Sequence, residues 1–207
     1  MKELSSINNS TIVIGITGGI GSGKSVVSRI LRCNGWEVYD TDSEAKRILV
    51  EDSEVKKAIV GLLGKKSYSE NGYLNRKWIS ERIFSDKALR EGMNEIVHCK
   101  VVEDIIRKIK KANFIIFIES ALLVSSGIQD FCDYIWLIET PLEERIERIS
   151  KRDGLKKIDV MKRIESQNKE LENLILSKTE IIVNSDEKSL LNCIINKIEN
   201  LKIRKYA

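Results

Sequence analysis

Proline, histidine and closely spaced cysteines are scarce in this 207-residue sequence. A single proline against 12 glycines excludes Pro-rich linkers and collagen-like segments. The one histidine, His98, cannot supply a histidine-rich metal site. The four cysteines are scattered and form no C-x-x-C pair, so we expect reduced thiols and neither a disulfide framework nor a zinc site.

Long apolar runs and a strong charge surplus are missing as well. The apolar runs, such as residues 114–118, are far shorter than the ~20 residues of a transmembrane helix, and residues 1–10 lack the apolar segment of an export signal. Lys and Arg number 35 against 31 Asp and Glu, and the signs alternate, whereas a nucleic-acid binder clusters its basic residues. We therefore expect a cytoplasmic protein with no membrane and no nucleic-acid partner, either a monomer or a small homo-oligomer.

Two short strands and a helix open the pattern of predicted elements. Residues 11–17 are apolar and β-branched, which is typical of a strand buried on both faces. An amphipathic helix is predicted over 24–34 with a stop at Asn34-Gly35, and a second strand over 36–39. This order is that of a βαβ unit, whose two strands are expected to be parallel.

The rest of the chain continues this alternation with one interruption. Further strands are predicted over 114–118, 134–138 and 180–183, and helices over 141–151 and 187–201. In between, helices are predicted near 54–63, 76–84 and 86–111, without a convincing strand, and residues 151–178 are expected to be irregular and highly charged. We predict an α/β fold with a parallel sheet of about five strands, helices on both faces and a helical insertion.

The glycine-rich turn after the first strand matches G-x-x-x-x-G-K-[ST] at residues 18–25. Glycines let the backbone wrap closely around a phosphate, and the loop leads into a helix N-terminus whose partial positive charge favours an anion. Lys24 would reach the β- and γ-phosphates, and the Ser25 hydroxyl would bind Mg²⁺. Because the motif lies between a buried strand and an amphipathic helix, it predicts nucleotide binding by the loop and its exit, including Gly19, Gly21, Ser22, Gly23 and Val26.

The size of the chain and its helical insertion favour a small-molecule kinase. A GTPase would need an Asn-Lys-x-Asp signature, which is missing, and an ATPase motor would be larger. The alternative from another class is a regulatory module that binds nucleotide and changes shape without transferring a phosphoryl group.

A kinase of this kind needs a carboxylate near the acceptor hydroxyl. Asp40 and Asp42 follow the second predicted strand, at the carboxyl end of the sheet where ligands bind. If the strand continues, a spacing of two points both side chains the same way. One would orient or deprotonate the hydroxyl and the other would hold the water shell of Mg²⁺. The alternative is that one of them caps the next helix.

Several other charged residues are candidates for the site. For Arg152, at the exit of the helix over 141–151, we favour a mobile lid that delivers it to the transferring phosphoryl group. Arg145 is instead expected on a solvated face, paired with neighbouring glutamates. Glu119 ends a predicted strand and could assist Mg²⁺ or the acceptor. From the residues alone, His98 is expected to be a packing or surface residue.

Over about residues 12–200, these features resemble the dephospho-coenzyme A kinase family. The resemblance is carried by the string Thr17–Ser25, the Asp-x-Asp at 40–42, residues 71–76 and 81–84, residues 148–154 and residues 182–185. It implies a nucleotide-binding core (1–50, 112–150 and 178–207), a helical acceptor-binding insertion (51–111) and a lid (151–177).

The resemblance also implies the reaction. ATP, with Mg²⁺, would phosphorylate the ribose 3′-hydroxyl of dephospho-coenzyme A in the last step of coenzyme A biosynthesis. The residues assigned to catalysis are Asp42 as base, Lys24 and Arg152; those assigned to ATP beyond the loop are Arg148 and Asn184; those assigned to the acceptor are Asp40, Arg76, Arg82 and His98. The alternative is a P-loop kinase for a nucleoside or nucleotide. Three positions depart from the family pattern, namely Cys99, Lys46 and Asp186.

Overall fold

The computed structural model describes residues 11–185 and 189–206, with side chains as far as Leu201. Asp186, residues 1–10 and the first two positions of the last predicted helix (187–188) lie outside the described residues. Along the described part, no helix has an apolar stretch long enough to span a lipid bilayer.

Five strands form one sheet, which confirms the predicted α/β fold. They are β1 (Ile12–Thr17), β2 (Val38–Asp40), β3 (Ile115–Glu119), β4 (Tyr134–Glu139) and β5 (Thr179–Val183). The order across the sheet is β2-β3-β1-β4-β5, and β1 pairs in parallel with β3 and β4, as β4 does with β5. The carboxyl ends of the central strands therefore meet at one edge, where the glycine-rich loop follows β1.

Eight α-helices accompany the sheet within the described ranges. They are α1 (Lys24–Cys33), α2 (Thr41–Glu51), α3 (Ser53–Leu63), α4 (Arg76–Ser85), α5 (Lys87–Lys111), α6 (Leu142–Asp153), α7 (Lys157–Glu172) and α8 (Leu190–Tyr206). The expectation that residues 151–178 are irregular is wrong, because α7 occupies most of them. Val160 and Ile164 lie one helical turn apart on α7 and are buried, so this charged segment does have an apolar face.

The main core lies on one face of the sheet. Its sheet side is built by Ile14, Ile16, Phe117, Trp136 and Ile138, and α1 and α8 cover it with Val27, Leu31, Ile194 and Ile198. The rings of Phe117 and Trp136 are 5.3 Å apart between centroids. Such strands are apolar on both faces because the sheet is covered on both sides.

On the opposite face, Gly15 of β1 lets the segment after β3 approach the strand closely. A Cβ at this position would lie 2.9 Å from the Sγ of Cys132 and 3.0 Å from the side chain of Leu123. Burial raises the pKa of the Cys132 thiol to about 12, so this sulfur stays protonated. Cys132 is therefore a packing residue.

The packing divides the described chain into two compact units. One comprises residues 40–111 and is helical, with α2, α3 and α4 all packed on α5. The other comprises residues 11–39 and 112–206 and holds the P-loop, α1 and α6–α8. The functional division into core, acceptor-binding insertion and lid stays a prediction.

Candidate active site

The P-loop, residues 18–25, curls between β1 and α1. Gly21 and Gly23 have φ angles of 79° and 93°, in the left-handed region that favours glycine, and Gly23 directly precedes α1. The Ser22 amide donates to the Gly19 carbonyl at 3.1 Å, which closes the turn. A Cβ at Gly19 would overlap the guanidinium of Arg145. The loop thus needs glycine for its conformation and for close packing.

Lys24, the first residue of α1, reaches back over the loop. Its Nζ donates to the carbonyl of Gly18 at 2.6 Å and to that of Gly19 at 3.3 Å. Ser25 and Val26 follow in the first turn of α1, and both are exposed. The ammonium, the Ser25 hydroxyl and the helix N-terminus lie together at the carboxyl end of β1, an arrangement that suits an anion.

The second half of the loop is supported from β4 and β5. The side-chain amide of Asn184 donates to the Ser22 carbonyl at 2.8 Å, and its backbone amide donates to the Glu139 carbonyl at 2.7 Å. The buried Thr140 hydroxyl lies 2.9 Å from the Ser22 carbonyl and 2.7 Å from that of Asn184, so its one proton can go to either. Sequence reasoning missed Thr140. Its only signal is its position directly after a strand that neighbours β1.

Arg145 contradicts the expectation of a solvated face. Its Nε donates to the carbonyl of Ile20 at 2.9 Å, and its Nη2 is buried. Burial lowers the pKa of this guanidinium. The glutamates near it in sequence suggested local ion pairs, whereas the helical spacing of four to the buried Ile149 was the signal for an inward position.

A cavity of about 450 Å³ opens beside the loop. Its polar lining includes Gly19, Thr140, Arg145 and Asn168, and its apolar lining includes Leu137 and Val183. The cavity extends from Gly19 of the P-loop to the ends of β4 and β5. Polar and apolar groups thus share the lining, and Arg145 places a positive charge beside the loop.

The two arginines predicted to contact ATP or its phosphates lie on α6. Arg148 donates from Nη2 to Glu144 at 2.7 Å, and its Nη1 lies 3.5 Å from the Thr140 hydroxyl. Arg152, near the end of α6, is exposed and pairs with Asp153 through two hydrogen bonds of 2.7 and 3.1 Å. This ion pair raises the pKa of Arg152 and lowers that of Asp153.

The two aspartates of the Asp-x-Asp have different structural positions. Asp40 ends β2 and caps α2, because its Oδ1 accepts from the amides of Asp42 and Ser43 at 3.1 and 3.2 Å. Asp42 lies in the first turn of α2 and is exposed. The idea that a continuing strand points both side chains the same way is therefore wrong, since the strand ends at Asp40. The alternative of a capping role is confirmed for Asp40.

The remaining acceptor candidates lie on helices of the 40–111 unit. Arg76 begins α4, Arg82 lies six residues further along it, and His98 lies on α5; all three are exposed. The guanidinium of Arg82 lies 5.2 Å from the ring centroid of Trp78, within cation–π distance. Trp78 is half-buried and donates from its indole to the Leu63 carbonyl at 3.1 Å, so it is positioned by packing.

No cluster of three His, Cys, Asp or Glu side chains suited to a metal occurs in residues 11–185 or 189–206. Glu119 is the last residue of β3 and is half-buried.

A P-loop after a central parallel strand, with an arginine-bearing helix after β4, defines a P-loop kinase-type protein. The family model described as CoaE, Dephospho-CoA kinase, matches residues 12–189. The chain therefore belongs to the dephospho-CoA kinase family.

Individual relatives agree with this assignment. The chain is 37% identical to a dephospho-CoA kinase of Porphyromonas gingivalis over 94% of this chain and 96% of that one, and 36% identical to one of Fusobacterium nucleatum over 92% and 96%. Among solved structures, it is similar to dephospho-CoA kinase from Campylobacter jejuni, with 25% identity, a TM-score of 0.68 and coverage of 92% and 97%. A Thermus thermophilus structure matches with 26% identity, a TM-score of 0.72 and coverage of 93% and 98%.

Proposed function

We propose that this protein is an ATP-dependent kinase that phosphorylates the ribose 3′-hydroxyl of dephospho-coenzyme A, giving coenzyme A and ADP. The observation that carries the proposal is the family match over residues 12–189. In the reaction, a bond forms between the 3′-oxygen and the γ-phosphorus, and the bond from that phosphorus to the β,γ-bridging oxygen breaks. The hydroxyl proton goes to a base, and the electron pair goes to ADP.

The P-loop and Lys24 bind the phosphates of ATP in this proposal. The ammonium of Lys24 lies against the carbonyls of Gly18 and Gly19, so it is held at the loop as a positive charge for the β- and γ-phosphates. Catalysis of phosphoryl transfer rests mostly on positioning and charge neutralisation, which a preformed loop supplies.

Mg²⁺ would accompany ATP, and the residues present fit it. Ser25 offers an exposed hydroxyl in the first turn of α1, and oxygen is the ligand type that Mg²⁺ prefers. Few protein ligands are needed because phosphate oxygens and water complete the shell. When bound, the ion would neutralise charge on the phosphate oxygens.

Asp42 is the proposed general base and Arg152 the proposed lid arginine. The capping role of Asp40 leaves Asp42 as the member of the pair whose carboxylate is not committed to capping α2, which supports this division of roles. Arg152 would exchange its bonds with Asp153 for the γ-phosphoryl group and help to exclude water, which competes as acceptor. Arg148 and Asn184 are proposed to contact ATP. Asp40, Arg76, Arg82 and His98 are proposed to contact the acceptor.

We also keep the cytoplasm as the proposed location. All four cysteines are free thiols, which suits a reducing compartment. The expectation of a monomer or small homo-oligomer without nucleic-acid or membrane partners stays a prediction, which size-exclusion chromatography with light scattering can check.

The proposed reaction is tested by incubating the purified protein with Mg·ATP and dephospho-coenzyme A. Coenzyme A and ADP should form in equal amounts, detected by mass spectrometry, and Lys24→Met should abolish both. A parallel panel of nucleosides and nucleotides should release little ADP. ADP release with a nucleoside alone would support the alternative kinase, and ATP binding without any acceptor-dependent ADP would support a regulatory module instead.

A further inference from the structure

Ile20, the third residue of the P-loop motif, is held at its backbone and its side chain. Its carbonyl accepts from Nε of Arg145 on α6, at 2.9 Å. Its amide donates to Oε1 of Gln167 on α7, at 2.7 Å. Its side chain packs against the small apolar cluster formed between α6 and α7 by Ile146, Ile149, Val160 and Ile164. We call this arrangement, Arg145–Ile20–Gln167, the Ile20 clamp.

Arginine at position 145 costs more free energy to bury than an apolar side chain that only packs would cost. Its guanidinium lies against Gly19, and its Nη2 is buried with no hydrogen-bond partner among the described residues. An apolar side chain would cover the same surface without burying a charge or an unsatisfied donor. What arginine adds is a donor directed at the Ile20 carbonyl and a positive charge beside the phosphate-binding loop.

Position 167 likewise suits glutamine better than other polar residues. It lies three residues after the buried Ile164 and seven after Val160, so it shares their face of α7 and points inward from a helix rich in charged residues. A neutral amide can accept from the Ile20 amide, whereas a carboxylate at this position would add a negative charge beside a loop meant for phosphate. In the sequence, the spacing of Gln167 from Val160 and Ile164 indicates its inward position.

We propose that Arg145 and Gln167 are positioning residues for ATP, which fix the tip of the P-loop through the two ends of Ile20. The orientation of Ile20 sets the direction of the neighbouring peptide groups, because two anchored atoms leave the residue little freedom to rotate. The α6–α7 pair thereby determines how tightly the loop binds the phosphate tail. This inference deepens the proposed function, since it assumes ATP as the ligand of the loop.

The clamp is tested by nucleotide affinity in Gln167→Met and Arg145→Met, with calorimetric titration of ATP, ADP and adenosine into the full chain. Losing one hydrogen bond should lower the affinity for ATP and for ADP about three- to tenfold. The affinity for adenosine, which has no phosphate, should change less than twofold. Lys169→Met, an exposed substitution on the same helix, should leave all three affinities unchanged.

Two further measurements separate positioning from general stability. In steady state, the KM for ATP should rise while kcat and the KM for dephospho-coenzyme A stay within about twofold, as expected for uniform binding. In the double variant, which combines Arg145→Met with Gln167→Met, the loss of ATP affinity should be smaller than the product of the two single losses. Both residues hold Ile20, so their effects are not independent. Should Arg145→Met fail to fold, Gln167→Met and Gln167→Asn, which shortens the acceptor, decide the question.

Unchanged ATP affinity in folded Gln167→Met, or an equal loss for adenosine, would overturn the clamp. A wild-type protein that binds ATP but forms no coenzyme A would refute the proposed reaction, while the affinity comparison would still decide the role of the clamp.

Discussion

The P-loop shows how single side chains compensate for the freedom of glycine. Six consecutive positions, 18–23, hold four glycines, which by themselves would adopt many conformations. The Ser22 carbonyl accepts from Asn184 and lies next to the Thr140 hydroxyl, and Lys24 bonds the carbonyl of Gly18. Thr140 and Asn184 lie outside the motif, so the shape of the loop depends in part on residues that the motif does not contain.

The first prediction concerns the base. Asp42→Asn should lower kcat on the order of 10²-fold or more, because an amide cannot take the hydroxyl proton. The affinity for ATP should be nearly unchanged, since Asp42 is not proposed to hold the phosphates. Stopped or coupled assays of ADP release, combined with ATP titration, measure both quantities.

The matched control for this substitution is Asp159→Asn. Asp159 occupies the first turn of α7 as Asp42 occupies that of α2, and it is exposed. The Asp159→Asn variant should keep full activity. An unaffected kcat in Asp42→Asn would assign the base to another carboxylate.

Among the elements, some could be predicted from local sequence and others could not. The strand–loop–helix of residues 12–33 follows from apolar patterning and glycine chemistry, both of which act over a few residues. The α7 helix was missed because its many charges conceal a narrow apolar face at Val160 and Ile164. The prediction that Arg145 lies on a solvated face was wrong because its partner, Ile20, lies 125 residues away, and no local pattern contains that contact.

The same contrast holds at the candidate site. The Gly-rich motif predicts which residues form the loop, since its function depends on their spacing. The sequence left open whether Asp40 caps the next helix, and the end of β2 makes it the N-cap of α2; its contact with the acceptor stays a prediction. The boundary between a strand and a helix decides that outcome, and boundaries depend on tertiary packing more than on local preference.

At the element scale, Asp52 should stabilise α3 in a pH-dependent way. Its carboxylate accepts from the amides of Val55 and Glu54, at 3.0 and 2.9 Å. The Val55 amide and then Lys100 lower the pKa of Asp52 in the folded state. The stabilisation is therefore fully present above the unfolded pKa of about 3.9 and is lost as the pH falls through the lower folded value.

Replacing this cap tests the argument. Asp52→Ala should reduce the free energy of unfolding by about 1 kcal/mol at pH 7, and its deficit relative to wild type should shrink below about pH 4. Asp52→Asn keeps an acceptor for the helix amides and should lose less at pH 7. Urea titrations between pH 7 and 3 give these values. A deficit of Asp52→Ala that stays constant over this range would contradict the assigned role.

At the scale of the whole molecule, ligand binding and folding are linked. A ligand that binds only the folded protein raises the free energy of unfolding by about 2.7 kcal/mol at a concentration of 100 times its Kd. ATP should therefore raise the unfolding temperature progressively with concentration, because bonds from the residues after β4 and β5 hold the P-loop in the folded protein.

Lys24→Met should abolish most of this shift, since the ammonium is the main positive charge proposed for the phosphates. Lys57→Met, an exposed substitution on α3, should keep it. Thermal scans with increasing ATP measure both. A full shift in folded Lys24→Met would show that the nucleotide does not bind at the P-loop.

The bonds that Lys24, Asn184 and Arg145 make to the loop carry a consequence for the speed of nucleotide capture. These bonds within the protein hold the loop in one conformation, so no slow rearrangement should precede nucleotide binding. In rapid mixing, the observed association rate should rise linearly with ATP concentration, without the plateau that a rate-limiting conformational step imposes.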